Sequence, residues 1–428
     1  MDLLIFLLSV IYLFFTRKIE IPFVGLLVLA SDYLGIGRFF AENELNYFGQ
    51  PKDLGLVLLM LISIVVLMRY KDVNPPKFVS KVYKYINLFL GFILFTIFID
   101  FVANGIDAWS VARTSRHWLM LLIYIPLMRL PIMRLEKIVK MLYRLTLVVS
   151  FIIVIEYITG YHYFTPEMYE TYAGNTIVLR GALPSTYALF YVLLVAMGYG
   201  SHNRVVRYFI LAMLTFSLLI SATKSIAIGL FVGFVALAVY TSRGILKALP
   251  KIFSVTILAF IIMMVMPSLR TRLIYGQQNF GTLDDGSTTF RMMLAEERYH
   301  YIAQESITYL FGIGNVTEDH FEGNFEVGHV NQEGERAQLD TGDIAWALTF
   351  LRLGMLGTIL WIGLSLVFIW AFSKNLQNPY SIPLISYLLL NLLILSFAGT
   401  TIYEASYWII PLIVLDIVTP YQRKIISR

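Results

Sequence analysis

The chain contains no cysteine. Disulfides, thiolate metal sites and cysteine nucleophiles are excluded together. Charge is also scarce: Asp, Glu, Lys and Arg make up 14% of the 428 residues, against about 25% in soluble globular chains. Hydrophobic residues make up 58%, and mean hydropathy is +0.72. A soluble enzyme is excluded on these grounds. The apolar residues fall in long runs, not in weakly alternating stretches of about ten, which excludes an outer-membrane barrel. Nucleotide signatures are missing too, since GIGNV at 312–316 lacks the lysine of a phosphate-binding loop. The six histidines are His117, His162, His202, His300, His320 and His329. They form no HExxH pattern and no ligand-spaced pair, so neither a metal nor another cofactor is expected.

What is present is about thirteen apolar segments, at 2–15, 21–37, 54–68, 85–103, 117–128, 143–159, 183–200, 208–222, 226–240, 252–266, 343–371, 381–398 and 404–418. Runs of about 17–25 apolar residues suit helices that cross a bilayer. The fold class expected is all-α: a polytopic transmembrane bundle of about 12–13 helices with a large, partly helical extracytoplasmic loop. No small-residue cleavage site follows TRKIE, so 2–15 reads as a first helix and not as a signal peptide. The chain divides into N-terminal transmembrane helices over 1–266, the loop over 267–342 and C-terminal transmembrane helices over 343–428.

The net charge of +5 says little until it is distributed. Alternate connections hold Arg17 and Lys18, Arg69 to Lys84, Arg129 to Arg144, Arg204 and Arg207, Arg243 to Lys251, Lys374, and Arg423 to Arg428. These carry 21 of the 33 Lys and Arg residues, with only Glu20, Asp72, Glu136 and Asp416 among the acids. The bias of positive charge toward the cytoplasm puts this set inside, with the N-terminus outside and the C-terminus inside. The large outer connection, 267–342, holds twelve acids against five Lys or Arg. A smaller one runs from Gly160 to Ala182. Loops longer than about 15 residues are uncommon without a role. Within this one, FRMMLAEERYHYIAQESITYLFG has apolar residues near every third or fourth position. A folded amphipathic cap over the outer mouth is expected.

Ionisable residues inside spanning segments are costly and mark candidate sites. They are Asp32, Asp100, Glu156, Lys224, Asp343, Arg352 and Glu404. For Asp32, Asp100 and Glu404 interface or cap polarity is the expectation, and Glu156 suits either a basic partner or a direct role. Lys224 interrupts FSLLISATKSIAIGLFVGF at a tight outer turn or a broken helix. Its ammonium needs an anion such as a phosphate, or snorkels to the headgroups. Arg180 precedes a helix entered through Gly181, Pro184 and Ser185. A guanidinium fork beside a helix N-terminus suits a diphosphate, although an outer Arg also serves as a plain solvated charge. Arg291 opens the loop helix and offers a third cation.

The order of these elements resembles a known family. An Arg-Gly element precedes a helix, a Ser-x-Thr-Lys-Ser turn follows, and a long outer loop has an Arg opening a helix, then YLFGIGN and DIAWALTFLRLGMLGTILW. This looks like the O-antigen polymerase and ligase superfamily, most like the Wzy-type polymerases, over about residues 175–370. By that resemblance Arg180 and Arg291 match outer-face arginines, and Lys224 stands where many members have Arg. Ligases usually have a His-Asn pair before Gly-Leu-Leu-Gly, whereas here Asp343 precedes GMLG at 354–357 by eleven residues. That departure favours a polymerase.

The resemblance implies a bacterial cytoplasmic-membrane glycosyltransferase that joins polyprenyl (undecaprenyl) diphosphate-linked repeat units at the outer face. Its product would be O-antigen, capsule or exopolysaccharide. Arg180, Lys224 and Arg291 would bind the diphosphate, with Asp343, then His329 and His320, as the general base. Implied partners are lipid-linked glycans, membrane lipids, a chain-length regulator and a flippase, and no nucleic acid. The rivals are an O-antigen ligase and, as a non-enzyme, a flippase or transporter of lipid-linked oligosaccharide.

Overall fold

Apolar surroundings leave each backbone N–H and C=O to be paired within its own segment, and the helix does this locally. The structure, a computed structural model, describes residues 2–16, 18–31, 51–71, 79–102, 105–106, 108–159, 169–173, 176–180, 204–220, 224–265, 288–316, 321, 323–328, 338–339, 344–378, 380–393 and 405–418. Among these, the helices are α1 (Asp2–Phe15), α2 (Glu20–Ser31), α3 (Pro51–Arg69), α4 (Val79–Val102), α5 (Ala108–Leu119), α6 (Tyr124–Leu127) and α7 (Ile132–Thr159). They continue with α8 (Arg204–Leu219), α9 (Lys224–Thr241), α10 (Ile245–Val265), α11 (Thr288–Ala303), α12 (Ser306–Phe311), α13 (Ala345–Ser373), α14 (Ser381–Leu393) and α15 (Ala405–Val418). Three are long and apolar enough to cross a membrane: Lys81–Val102 in α4, Ile132–Thr159 in α7 and Ala345–Ser373 in α13.

Two features depart from the helical expectation. A short antiparallel hairpin, β1 (Tyr169–Ala173) and β2 (Thr176–Arg180), lies in the smaller predicted loop, with Tyr169 opposite Arg180. Its strands read YETYA and TIVLR around Gly-Asn, a hairpin signal the helical reading passed over. The apolar run 117–128 is also not one helix. α5 starts earlier, a 3₁₀ turn covers Met120–Ile123, and α6 closes the run. The expected span 183–200 lies outside the described residues.

Side by side, the helices bury one large core that includes Phe23, Phe89, Trp118, Trp361 and Phe368. Close crossings are made by small residues, as apolar surroundings require, because tails of lipid compete equally for apolar side chains. Gly25 lies against the Ser9 side chain, and the Tyr85 hydroxyl fills the space where a Cβ on Gly363 would stand. Ser150 and Ser217 share a buried hydrogen bond of 2.6 Å between α7 and α8. Outward, α1 and α10 expose Leu, Ile, Phe and Met along their length. Such faces are a liability in water and the normal lipid surface in a bilayer.

The helix ends form two sets of contacts. At one end Arg69 donates to the Leu13 and Thr16 carbonyls at 2.9 and 3.0 Å, closing the C-terminus of α1. Here too Arg134 pairs with Glu20 at 2.6 Å, Arg129 donates to the Lys71 carbonyl at 3.3 Å, and Asn375 donates to the Val418 carbonyl at 2.7 Å. Lys81 and Lys374 both lie over the Trp370 ring. Burial and the Glu136 charge raise the Tyr380 hydroxyl above its ordinary value. At the other end Arg116 pairs with Asp53 at 2.9 Å, in the first turn of α3, and residues 312–316 bind α4, α5 and α13. The first end gathers the basic connections; the second gathers the acidic loop.

Candidate functional site

The predicted loop helix is two helices, α11 and α12, broken at Gln304–Glu305. α11 is seated on the start of α13. Phe290 and Leu294 form a small core with Ile344 and Ala347, and Val327 and Trp346 pack against it. Ile344 is extended and Ala345 begins the helix. Chain neighbours of three candidates therefore meet in this cluster: Phe290 is next to Arg291, Ile344 is next to Asp343, and Val327 is two residues from His329. Arg291 is half-buried on the first turns of α11.

Below the cluster, the two glycine motifs close on each other. α13 breaks at Gly354, where φ is 62° and ψ −167°. The carbonyls of Leu351 and Arg352 accept from the N–H groups of Ile313 and Gly314 at 2.8 and 3.1 Å. Gly312 and Gly314 have φ of 74° and 76°, the left-handed region that glycine enters at no steric cost. A Cβ on Gly354 would stand 2.6 Å from the Leu310 carbonyl, and one on Gly312 would stand 2.5 Å from the carbonyl carbon of Arg352. YLFGIGN and RLGMLG are thus complementary halves of one backbone clasp.

Charged side chains lock it. Asp100, 1% exposed, accepts from the Asn315 backbone N–H at 2.7 Å and from its side-chain amide at 3.0 Å. Thr114 donates to the Asn315 carbonyl at 3.0 Å. Arg352 donates to the carbonyls of Val316 and Gly314. Interface polarity was the expectation for Asp100, and its role here is to hold the loop on α4. Arg352 does the same from α13.

One fully buried cation escaped the sequence reading. Arg298 is fully buried, pairs with Glu297, donates to the Gln338 carbonyl at 3.0 Å and stacks 3.8 Å from the Phe325 ring centroid. Glu297 also accepts the backbone N–H groups of Glu326 and Val327 at 2.5 and 3.1 Å. The signal was available: Phe290, Leu294, Arg298 and Ile302 lie four residues apart, so Arg298 stands on the buried stripe of α11. A charge there needs partners, and the acidic loop supplies them.

Among the other sequence candidates, Arg180 ends β2 and Lys224 is the first residue of α9, while their side chains lie outside the described part. Lys224 thus stands at the start of a helix, and residues 221–223 before it lie outside the described residues. Asp32, His320, His329, Asp343 and Glu404 lie outside the described residues. Glu156 is buried in the last turns of α7 and has a partner. Among the described residues, no group of three or more His, Asp or Glu stands together as metal ligands. Compared with known proteins, the chain matches no family model and no curated protein.

Proposed function

We propose that this chain is a membrane-embedded glycosyltransferase that polymerises polyprenyl diphosphate-linked oligosaccharide repeat units at the outer face of a bacterial cytoplasmic membrane. The observation that carries this reading is the seating of α11 on the start of α13. It brings the helix that opens with Arg291 beside the helix that follows Asp343. A cation for a diphosphate and a carboxylate for a hydroxyl proton are the two groups the reaction requires.

In the reaction, the terminal hydroxyl oxygen of one lipid-linked unit forms a bond to the anomeric carbon of the growing chain. The bond from that carbon to the diphosphate breaks, and polyprenyl diphosphate leaves. Arg180, Lys224 and Arg291 stabilise the charge that develops on the leaving group. Asp343 takes the hydroxyl proton, with His329 and His320 as the other bases in reach of the same loop. The N-terminus of α13 favours the anionic, proton-accepting form of a carboxylate placed there. Nucleotide hydrolysis has no part, because the donor carries its own leaving group.

Topology follows from the charge distribution. The connections read as cytoplasmic touch one another at one end, as Arg69 with Thr16, Arg134 with Glu20 and Asn375 with Val418 do. The N-terminus is outside and the C-terminus inside. The ligase reading is disfavoured by Asp343 where ligases carry a His-Asn pair. A transporter is disfavoured by the sequence order, which puts Arg180, Lys224 and Arg291 toward the expected outer face.

The test is reconstitution. Purified protein in lipid, supplied only with lipid diphosphate-linked repeat units, builds a ladder of longer chains without ATP or an ion gradient. Arg291→Ala at normal membrane abundance abolishes the ladder. Repeat units of unchanged length with the folded wild-type protein would discard the polymerase.

A further inference from the structure

A backbone that leaves its helix inside a bilayer is tolerated only where every N–H finds a partner. Residues 312–315 meet that condition. Gly312 donates to the Thr308 carbonyl at 2.7 Å, Ile313 to Leu351 at 2.8 Å, Gly314 to Arg352 at 3.1 Å and Asn315 to Asp100 at 2.7 Å. The Thr308 hydroxyl on the preceding helix is satisfied as well, donating to the Ile302 and Glu305 carbonyls at 3.0 and 2.9 Å.

The depth of the segment can be read from α4. Its span Lys81–Val102 has 22 residues, about 33 Å at 1.5 Å per residue, close to the hydrocarbon thickness of about 30 Å. The apolar residues Phe98, Phe101 and Val102 are exposed up to its last turn, so the bilayer reaches that turn. Phe311 stacks against Phe92 and lies tilted against Phe95, with ring centroids 6.2 and 5.7 Å apart. Phe95 lies about 10 Å below Val102 along the axis. The C-terminus of α12 therefore packs well inside the span, while Asn315 returns to the level of Asp100.

On α12, Ile307, Leu310 and Phe311 share one face at helical spacing. Ile307 is 73% exposed and Leu310 45%, and Phe95, against which Phe311 packs, is exposed as well. This face continues the lipid-facing surface of α4. We infer that residues 306–316 form a re-entrant segment that dips into the outer part of the bilayer, with lipid acyl chains covering Ile307 and Leu310. The Tyr299–Tyr309 pair, partly apolar and partly polar, suits the level of the headgroups. The clasp at Gly354 ties this segment to α13, so the cap is anchored in lipid as well as on protein. The inference rests on the membrane span of α4 and is independent of any enzymatic activity.

The absence of native cysteine permits a direct test. Single nitroxide labels at Ile307→Cys and, separately, Leu310→Cys are placed in phosphatidylcholine–phosphatidylglycerol vesicles holding the full chain. Phe98→Cys gives the lipid reference and Glu296→Cys, exposed on α11, the aqueous one. Expected is a ratio of oxygen to water-soluble nickel-chelate accessibility at 307 and 310 equal to that at 98 and severalfold above that at 296. A ratio at both positions equal to that at 296 overturns the inference and makes the face a water-exposed surface. Since each label replaces an exposed side chain, either site alone decides if the other fails to fold.

Discussion

The two ends of the molecule use charge in opposite ways. At the basic end the cations stay close to solvent: Arg134 and Lys137, at 27% and 61% side-chain exposure, both face the buried Glu20 carboxylate. A pair with a cation as solvated as Lys137 contributes about 0–1 kcal/mol. At the loop end the groups that hold the loop are buried. Asp100, Arg298 and Asn315 are all at or below 2% exposure, and each is held by two or more hydrogen bonds or ion pairs. Charge at the first end counts through its sum, the quantity on which the expected topology rests. Charge at the second specifies one arrangement of backbone, because a buried ion is tolerated only with its particular partners.

That contrast breaks most sharply at the clasp. Gly354→Ala forces an L-residue into a left-handed conformation and a Cβ against the Leu310 carbonyl. The expected cost is about 3 kcal/mol or more, read as a large drop in the thermal midpoint in detergent and as release of 288–316 to protease. Gly91→Ala is the control, in an exposed helical position with nothing within 4 Å of its Cβ. It should gain up to about 1 kcal/mol in helix propensity. Equal effects at 354 and 91 would mean that the clasp does not constrain the fold.

Asp100→Asn comes next. It keeps the shape and removes the charge from two hydrogen bonds to Asn315, at an expected cost of about 1.5–3 kcal/mol. Protease should then cut near residues 312–316 before the helices melt. Lys137→Ala at the basic end should shift the midpoint by no measurable amount, since its ammonium is 3.9 Å from Glu20 and largely solvated. A larger loss for Lys137→Ala than for Asp100→Asn would reverse the comparison between the ends.

How much was legible beforehand differs element by element. α4, α7 and α13 fall where long apolar runs predicted them. Their signal is composition, which survives any arrangement of neighbours. The break between α11 and α12, and the 3₁₀ turn at Met120–Ile123, leave no mark on composition and were missed. The hairpin at 169–180 carried a Gly-Asn turn signal that the helical frame overrode. Arg291, Asp100 and Arg352 were named because charge is conspicuous in an apolar chain. Arg298 was not, because an acidic, polar loop made one more charge look ordinary.

The amino-acid sequence alone determined that this chain is helical, rich in surface fit for lipid, and polarised with basic connections at one end. These properties are sums over many residues, so no single contact can alter them. Only the tertiary structure decided that Gly312, Gly314 and Gly354 meet, that Asp100 and Arg352 grip the same turn, and that α11 rests on the start of α13. The partners are up to 215 residues apart. Pairing over such separations depends on the closure of the whole helical assembly, which no local pattern of residues encodes.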